Sequence, residues 1–210
     1  MKKVSIIAVV LMMSMVSVSA QSSSAKVFLS ISHEIKNYDS WKAVYDKFEA
    51  QRKEAGITEL FIKKDINNAN SITVLAEVTN LEKAKAFMSS TTLKDGMQEA
   101  GVTSLPSIVF LKSILDFGAL NKSALITTIS HSVKDFSVWK EGYLTAEQLR
   151  KQNGILDYLV LQSLSDQNLV TVVGHTNSAA TFTKFISNPD LKTAMEKAGV
   201  TSKPEIKILF

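Results

Sequence analysis

The stretch from Ile31 to Lys42 (ISHEIKNYDSWK) returns from Ile129 to Lys140 (ISHSVKDFSVWK), each residue 98 positions later. The same offset carries Arg52 onto Arg150, Gly56 onto Gly154, Phe87 onto Phe185 and Pro106 onto Pro204. It also carries Ala100–Ser104 (AGVTS) onto Ala198–Ser202, and no gap is needed from Lys26 to Phe210. A register kept over that distance predicts a tandem duplication. Each unit is then under about 100 residues, a size at which one core is only marginally stable. Two such units gain by burying a face against each other.

Within the first unit, Lys26–His33 alternates apolar and small polar residues, a strand pattern. Asn37 or Asp39 caps a helix in which Trp41, Val44, Tyr45, Phe48 and Ala55 recur at helical spacing, and Gly56 stops it. Ile57–Ile66 and Ser71–Val78 read as a hairpin around the turn Asn67–Asn70. Asn80 caps a second helix through Ser89, a short helical piece spans Leu93–Ala100, and Leu105–Ile114 is the last strand. The second unit repeats this order: strand Ala124–His131, helix Phe136–Gln152, strands Ile155–Leu164 and Leu169–Thr176, helix Ala179–Ser187, a Pro189-started helix and strand Pro204–Phe210. Strand, helix, strand, strand, helix, strand is the ferredoxin-like βαββαβ order, an α+β class with both helices on one face of an antiparallel sheet. The expected boundaries are a leader over residues 1–20, a first repeat over 21–115, a linker over 116–122 and a second repeat over 123–210.

Alternation assigns each strand two faces. One set (Val27, Leu29, Ile31, Leu60, Ile62, Ile72, Val74, Ala76, Ile108, Phe110) is aliphatic and belongs under the helices. The other mixes Phe28, Phe61, Leu75, Val109 and Leu111 with Ser30, Ser32, Thr73 and Glu77. Its counterpart carries Ile126, Leu159, Leu161, Val173 and Leu209 beside Thr128, Ser130, Thr171, His175 and Lys207. Such faces suit two sheets packed on each other, enclosing either a small cavity with a few polar groups or a filled core with a polar rim. The ligand-binding candidates are Ser30, Ser32, Thr73, Thr128, Ser130 and Thr171.

Met1–Lys3 is a charged start, Val4–Val18 an apolar run, and Val18-Ser19-Ala20 a small-residue cleavage site. This reads as a signal peptide cleaved after Ala20, with a periplasmic or secreted destination. The chain holds no cysteine, so disulfides, thiolate metal sites and a lipidated cysteine are excluded. The formal net charge is +4, two units of it from Lys2 and Lys3, too little to argue for nucleic acid or an anionic membrane.

The repeated pattern His-x-hydrophobic-Lys-x-aromatic-x-x-Trp-Lys, starting at His33 and at His131 and followed by Arg52 and Gly56, resembles the dimeric α+β barrel superfamily. More narrowly, it resembles antibiotic-biosynthesis-monooxygenase-like (ABM-like) domains. The resemblance covers Lys26–Phe210 and implies that the two repeats pair through their sheets, forming within one chain the barrel that others make by dimerising. It is specific for fold and poor for function. Members range from cofactor-free oxygenases of aromatic polyketides to haem-degrading enzymes and haem peroxidase relatives.

His33 and His131 end the first strand of each unit, and Trp41 and Trp139 follow on the first helix; all four are read as structural. His175, whose counterpart is Glu77, is expected on the cavity face near Thr171, and these two are the candidate acid/base pair. No metal site is expected, since no two histidines stand within one helical turn of each other, and no helix carries the histidine that haem-binding relatives use; no cofactor is expected. The expected partner is a small molecule, with no nucleic acid and no membrane once the leader is cleaved. The chain is expected to be a monomer with an internal pseudo-dimer, a further homodimer being left open. Two functions remain: an exported barrel binding a small apolar or aromatic molecule between its sheets, or a cofactor-independent monooxygenase acting on an aromatic substrate.

Overall fold

The computed structural model describes residues 25–210, so the expected leader and its cleavage after Ala20 lie outside the described residues. The first half runs β1 (Val27–Glu34), α1 (Tyr38–Lys47), α2 (Glu49–Glu54), β2 (Ile57–Asp65), β3 (Asn68–Val78), α3 (Leu81–Met88), α4 (Thr91–Glu99) and β4 (Ser107–Asp116). The second runs β5 (Leu125–Ser132), α5 (Phe136–Thr145), α6 (Glu147–Gln152), β6 (Ile155–Ser163), β7 (Leu169–Thr176), α7 (Ala179–Ile186), α8 (Pro189–Lys197) and β8 (Glu205–Leu209). Helix starts follow local chemistry. The side chains of Asn37, Asn80, Asp135 and Ser178 each accept a hydrogen bond from the backbone N–H three residues on.

The eight strands close into an antiparallel barrel in the order β1-β3-β2-β8-β5-β7-β6-β4. The pairing Val27↔Val78 to Glu34↔Ser71 in β1–β3 recurs partner for partner, 98 residues later, as Leu125↔Thr176 to Ser132↔Leu169 in β5–β7. The bulges recur as well, between Glu59 and Phe61 and between Asp157 and Leu159.

That bulge corrects one face assignment. Leu60, expected under the helices, packs against the barrel interior, because the extra residue of a bulge interrupts the alternation. A second correction concerns the helix expected over Phe136–Gln152, which breaks at Ala146, as its counterpart breaks at Phe48. Neither proline nor glycine stands at either break. An arginine does the work: Arg150 Nη1 donates to the carbonyl of Tyr143 at 2.7 Å, and Arg52 Nη1 donates to that of Tyr45. A side chain inserted into the helical ladder ends it there.

The barrel interior holds Phe28, Phe61, Leu75, Leu111, Ile126, Leu159, Leu161, Val173 and Leu209, each 3% exposed or less. The helices cover the outer face of each half, α1 with Trp41 and Val44 over Ile72 and Val74, α7 with Phe182 and Phe185 over Ile155 and Ile208. The two seams between the halves are unequal. β4 pairs with β6 from Leu111↔Ser163 to Asp116↔Leu159, so the strand runs into the first residue of the expected linker. β2 meets β8 only at Asp65↔Leu209, flanked by backbone bonds from Lys64 to Phe210 and from Ile66 to Ile208. The linker leans on this thinner side: Leu120 packs on the interior cluster, and Lys63 Nζ donates to the carbonyl of Lys122 at 3.0 Å.

Gly56 and Gly154 both sit at positive φ, 71° and 68°, at the turn into β2 and β6. A side chain at 154 meets open space, whereas a Cβ at 56 would lie 2.7 Å from Thr79 Oγ1 and 3.0 Å from Asn80 N. Gly154→Ala is therefore expected to cost about 1 kcal/mol, the backbone strain alone. Gly56→Ala should cost about 2–3 kcal/mol by adding the collision. Urea unfolding of the two variants checks the difference, and equal midpoints would contradict it.

Candidate functional site

Among the described residues, the space inside the barrel and the space between each sheet and its helices differ in chemistry. The first lies between the sheets, inside the barrel. Ser30, Ser32, Thr73, Thr128, Ser130 and Thr171 all line one cavity of about 160 Å³, with Phe61, Leu75, Leu111 and Val173 as its apolar walls. Register explains the convergence: Ser32 faces Thr73 across β1–β3, and Ser130 faces Thr171 across β5–β7. Their hydroxyls bond within each pair, at 3.1 and 2.9 Å. Lys207 and Glu205 line the same cavity from β8.

His175 and Glu77 do not line it. Along β7 the inward residues run Thr171, Val173, His175, and along β3 Thr73, Leu75, Glu77; Val173 and Leu75 belong to the apolar cluster and separate the two ends. His175 instead faces Ile126 and Leu156, and Glu77 faces Phe28 and Thr58. The expectation that His175 sits near Thr171 is thus corrected: four residues of strand span about 13 Å.

The second kind of space lies outside the barrel, between each sheet and its helices. It is floored by the repeated motif, which stacks in a column. In the first half His33 packs on Trp41 (ring centroids 5.7 Å apart), Trp41 stacks on Tyr45 (5.0 Å), and the Arg52 guanidinium lies 3.6 Å from the Tyr45 centroid. In the second half His131, Trp139, Tyr143 and Arg150 repeat it, at 5.6, 5.2 and 3.6 Å. Aromatic faces carry partial negative charge, so the arginine caps each column favourably.

The two pockets over these columns are unequal, about 60 Å³ in the first half and about 100 Å³ in the second. Sequence differences at equivalent positions account for this. Val44 and Phe48 become Gly142 and Ala146, and Ala76 becomes Gly174. Phe48 fills the first pocket against Gly96, where an added Cβ would fall 2.5 Å from its ring. Gly174 is forced by a close approach: a Cβ there would lie 2.9 Å from the carbonyl of Leu156 and 3.2 Å from Thr127 Oγ1. Thr127, a leucine in the first half, is buried at the wall.

His131 also lines the second pocket, 4% exposed, and neither ring nitrogen has a hydrogen-bond partner; the same holds for His33 in the first. Burial pulls both imidazoles down from 6.5 to about 4, so both are neutral at pH 7. A neutral imidazole offers one N–H and one lone pair. Each therefore presents a donor and an acceptor that the protein leaves unused.

An arginine lines each pocket, and in the second it has a buried acidic partner. Arg150 Nε and Nη2 hold both oxygens of Asp157 at 2.8–3.1 Å, and Tyr143 Oη donates to Asp157 Oδ1 at 2.7 Å. The pair is buried, its side chains 8% and 6% exposed. Burial first, and the Asp157 charge after it, push the Tyr143 phenol well above its ordinary range, against the opposing pull of Arg150. Glu59, the counterpart of Asp157, is exposed. The repeat pairs Arg52 with Arg150, but that spacing alone does not announce this network. The signal was present: tyrosine, arginine and an acid recur together at 45/143, 52/150 and 59/157. Among the described residues, no three His, Cys, Asp or Glu side chains gather as a metal site would require.

No family model and no curated protein matches this chain. Solved structures do. An anthrone oxidase-like protein matches with a TM-score of 0.59 at 11% identity, covering 89% of this chain and 91% of that one. A Lactobacillus acidophilus protein with a provisional monooxygenase assignment matches at 0.58 and 11% identity, covering 89% and 94%. A monooxygenase-like protein from Listeria innocua matches at 0.52 and 11% identity, covering 89% and 95%. The chain therefore shares the α+β barrel fold of these structures over 89% of its length. At such identities the likeness speaks for fold alone.

Proposed function

We propose that this protein binds a small aromatic or apolar molecule, and that the helix–sheet pocket of the second half is where it sits. The observation that carries the reading is an unpartnered, buried, neutral imidazole, His131, at the wall of an otherwise apolar pocket. Ligand sites combine apolar walls with one or two polar stations that orient the guest. Trp139, Phe182, Phe185 and Leu191 supply the walls, with His131 and Thr127 as the stations. The volume of about 100 Å³ is somewhat under the roughly 150 Å³ of a cavity that holds benzene, so a single ring would fill the pocket to its mouth. The finer reading includes a tandem duplication in which the first copy filled its pocket with Phe48 while the second kept its own open. It also includes export after cleavage at Ala20, supported by the leader pattern of residues 1–20.

The second reading, a cofactor-independent monooxygenase acting on an aromatic substrate, is favoured by the shared fold and by the pairing of an imidazole with an apolar pocket. Its chemistry needs a base to ionise the substrate, so that the carbanion or phenolate can pass an electron to dioxygen. His131 is poorly matched to that task. A base with a pKa near 4 lies about 6 units below a phenol, a deficit of about 8 kcal/mol. Asp157 is held by Arg150 and Tyr143, so binding is the better-supported function.

Trp139 borders the pocket, so quenching of its fluorescence by phenol reports occupancy. The double substitution Ala146→Phe, Ala194→Gly copies the Phe48–Gly96 pair of the first half into the second. It is expected to weaken binding at least about tenfold, the worth of excluding one ring. Unchanged affinity would move the ligand elsewhere. Steady oxygen uptake by the wild type with an aromatic hydroquinone, abolished in the same variant, would instead support the oxygenase reading.

A further inference from the structure

We infer that the cavity between the sheets is a second, separate site, for a small monocarboxylate with an apolar tail, and that Lys207 holds its carboxylate. The argument begins with an asymmetry. The positions equivalent to Lys207 and Glu205 in the first half are Val109 and Ser107, so the pseudo-symmetric barrel carries this cation on one wall only. A lysine placed on the inward face of a barrel strand costs desolvation that a valine there would avoid. Lys207 is 18% exposed and spans the interior to the opposite sheet, where its Nζ donates to Ser32 Oγ at 3.0 Å.

The ammonium has three donors. Ser32 takes one, and Glu205 Oε1 takes another at 3.0 Å. Glu205 is 68% exposed at the rim, and such a pair is worth only about 0–1 kcal/mol. Its carboxylate thus occupies, loosely, the place a ligand carboxylate would take. The hydroxyls around it favour an anion as well. In each of the pairs Ser32–Thr73 and Ser130–Thr171, one O–H is spent within the pair and one is left to donate outward. Beneath this polar ring the walls are Phe61, Leu75, Leu111 and Val173, which suit an apolar tail. The volume of about 160 Å³ compares with the roughly 150 Å³ of a cavity that holds benzene, which sets the guest at the size of benzoate or a short fatty acid.

The test is calorimetric titration of residues 21–210 with benzoate and butyrate, with benzyl alcohol as the uncharged control. Lys207→Met should weaken benzoate about tenfold or more, the worth of a charge-assisted hydrogen bond, and leave benzyl alcohol unchanged. Glu205→Gln should tighten benzoate by removing its competitor, and this variant keeps the proposal testable should the lysine variant fail to fold. Failure of the wild type to bind benzoate at about 10 mM, weaker than any useful site, would overturn the inference. So would a benzoate affinity unchanged by Lys207→Met and equally unchanged by Glu205→Gln. Benzoate binding lost in the Ala146→Phe, Ala194→Gly variant but kept in Lys207→Met would assign that ligand to the helix–sheet pocket instead, and the inter-sheet site would be dropped.

Discussion

Asp157→Asn is expected to destabilise this protein by about 3–5 kcal/mol, the cost of leaving a buried charge without its partner. The same change at the equivalent residue, Glu59→Gln, is expected to cost less than about 1 kcal/mol. The contrast follows from geometry. Arg150 spends Nε and Nη2 on Asp157 and Nη1 on the carbonyl of Tyr143, and its side chain is 8% exposed. An asparagine keeps the shape but loses the charge, so the guanidinium is left in a low-dielectric pocket with a neutral neighbour. Glu59 stands in solvent, where water replaces whatever is lost. Urea unfolding of both variants measures the difference. A third variant separates charge burial from packing: Arg150→Met with Asp157→Leu removes both partners and should recover most of the loss, since paired removal strands no charge. Equal destabilisation by Asp157→Asn and Glu59→Gln would refute the account.

The second large effect is with pH. His33 and His131 have folded-state values near 4 against 6.5 for an unburied imidazole, both lowered by burial. Between pH 6.5 and 4 the unfolded chain binds protons at these sites and the folded chain does not. Their contribution is therefore intact above pH 6.5 and is lost as pH falls toward 4. Each histidine accounts for about 3 kcal/mol across that window, so acidification should remove about 6 kcal/mol from the two together. Carboxylates add their own dependence, so the informative comparison is with His33→Leu, His131→Leu. Because the imidazole nitrogens have no partners, an apolar side chain of similar size should be close to neutral at pH 7. At pH 5 the double variant should be clearly more stable than the wild type. Parallel stability curves for the two proteins from pH 7 to pH 4 would show that the histidines do not titrate in this way.

Much of the fold was legible because its signals are local and periodic. Period-two alternation placed Phe28, Leu75, Ile126 and Val173 inside the barrel, and side-chain caps at Asn37 and Asn80 marked helix starts where the backbone needs an acceptor. Alternation also brought Ser30, Ser32, Thr73, Thr128, Ser130 and Thr171 to one cavity. It failed at Leu60, where a bulge adds a residue that no composition rule announces. His175 and Glu77 were misplaced for a related reason: sharing a face is a statement about direction, and says nothing of height along the barrel. The helix–sheet site was hidden more deeply. Its size depends on small residues at 142, 146 and 174 lying opposite one another, and its ion pair joins a helix end to a strand across a turn. The contact from Lys207 to Ser32 crosses 175 residues of chain, a distance over which sequence alone carries no geometric information.

The unequal seams bear on when this protein can exist as a folded object. β4 and β6 zip together over most of a strand, but the ring is shut only where β2 meets β8, two strands separated by about three quarters of the described chain. Until residue 209 has been made, β5 lacks one neighbour, the barrel stands open, and Phe28, Phe61 and Ile126 have no lid. Contacts of such sequence separation pay their chain entropy before any burial rewards them, so closure comes late and slowly. The weakest joint of the barrel is thus also its clock.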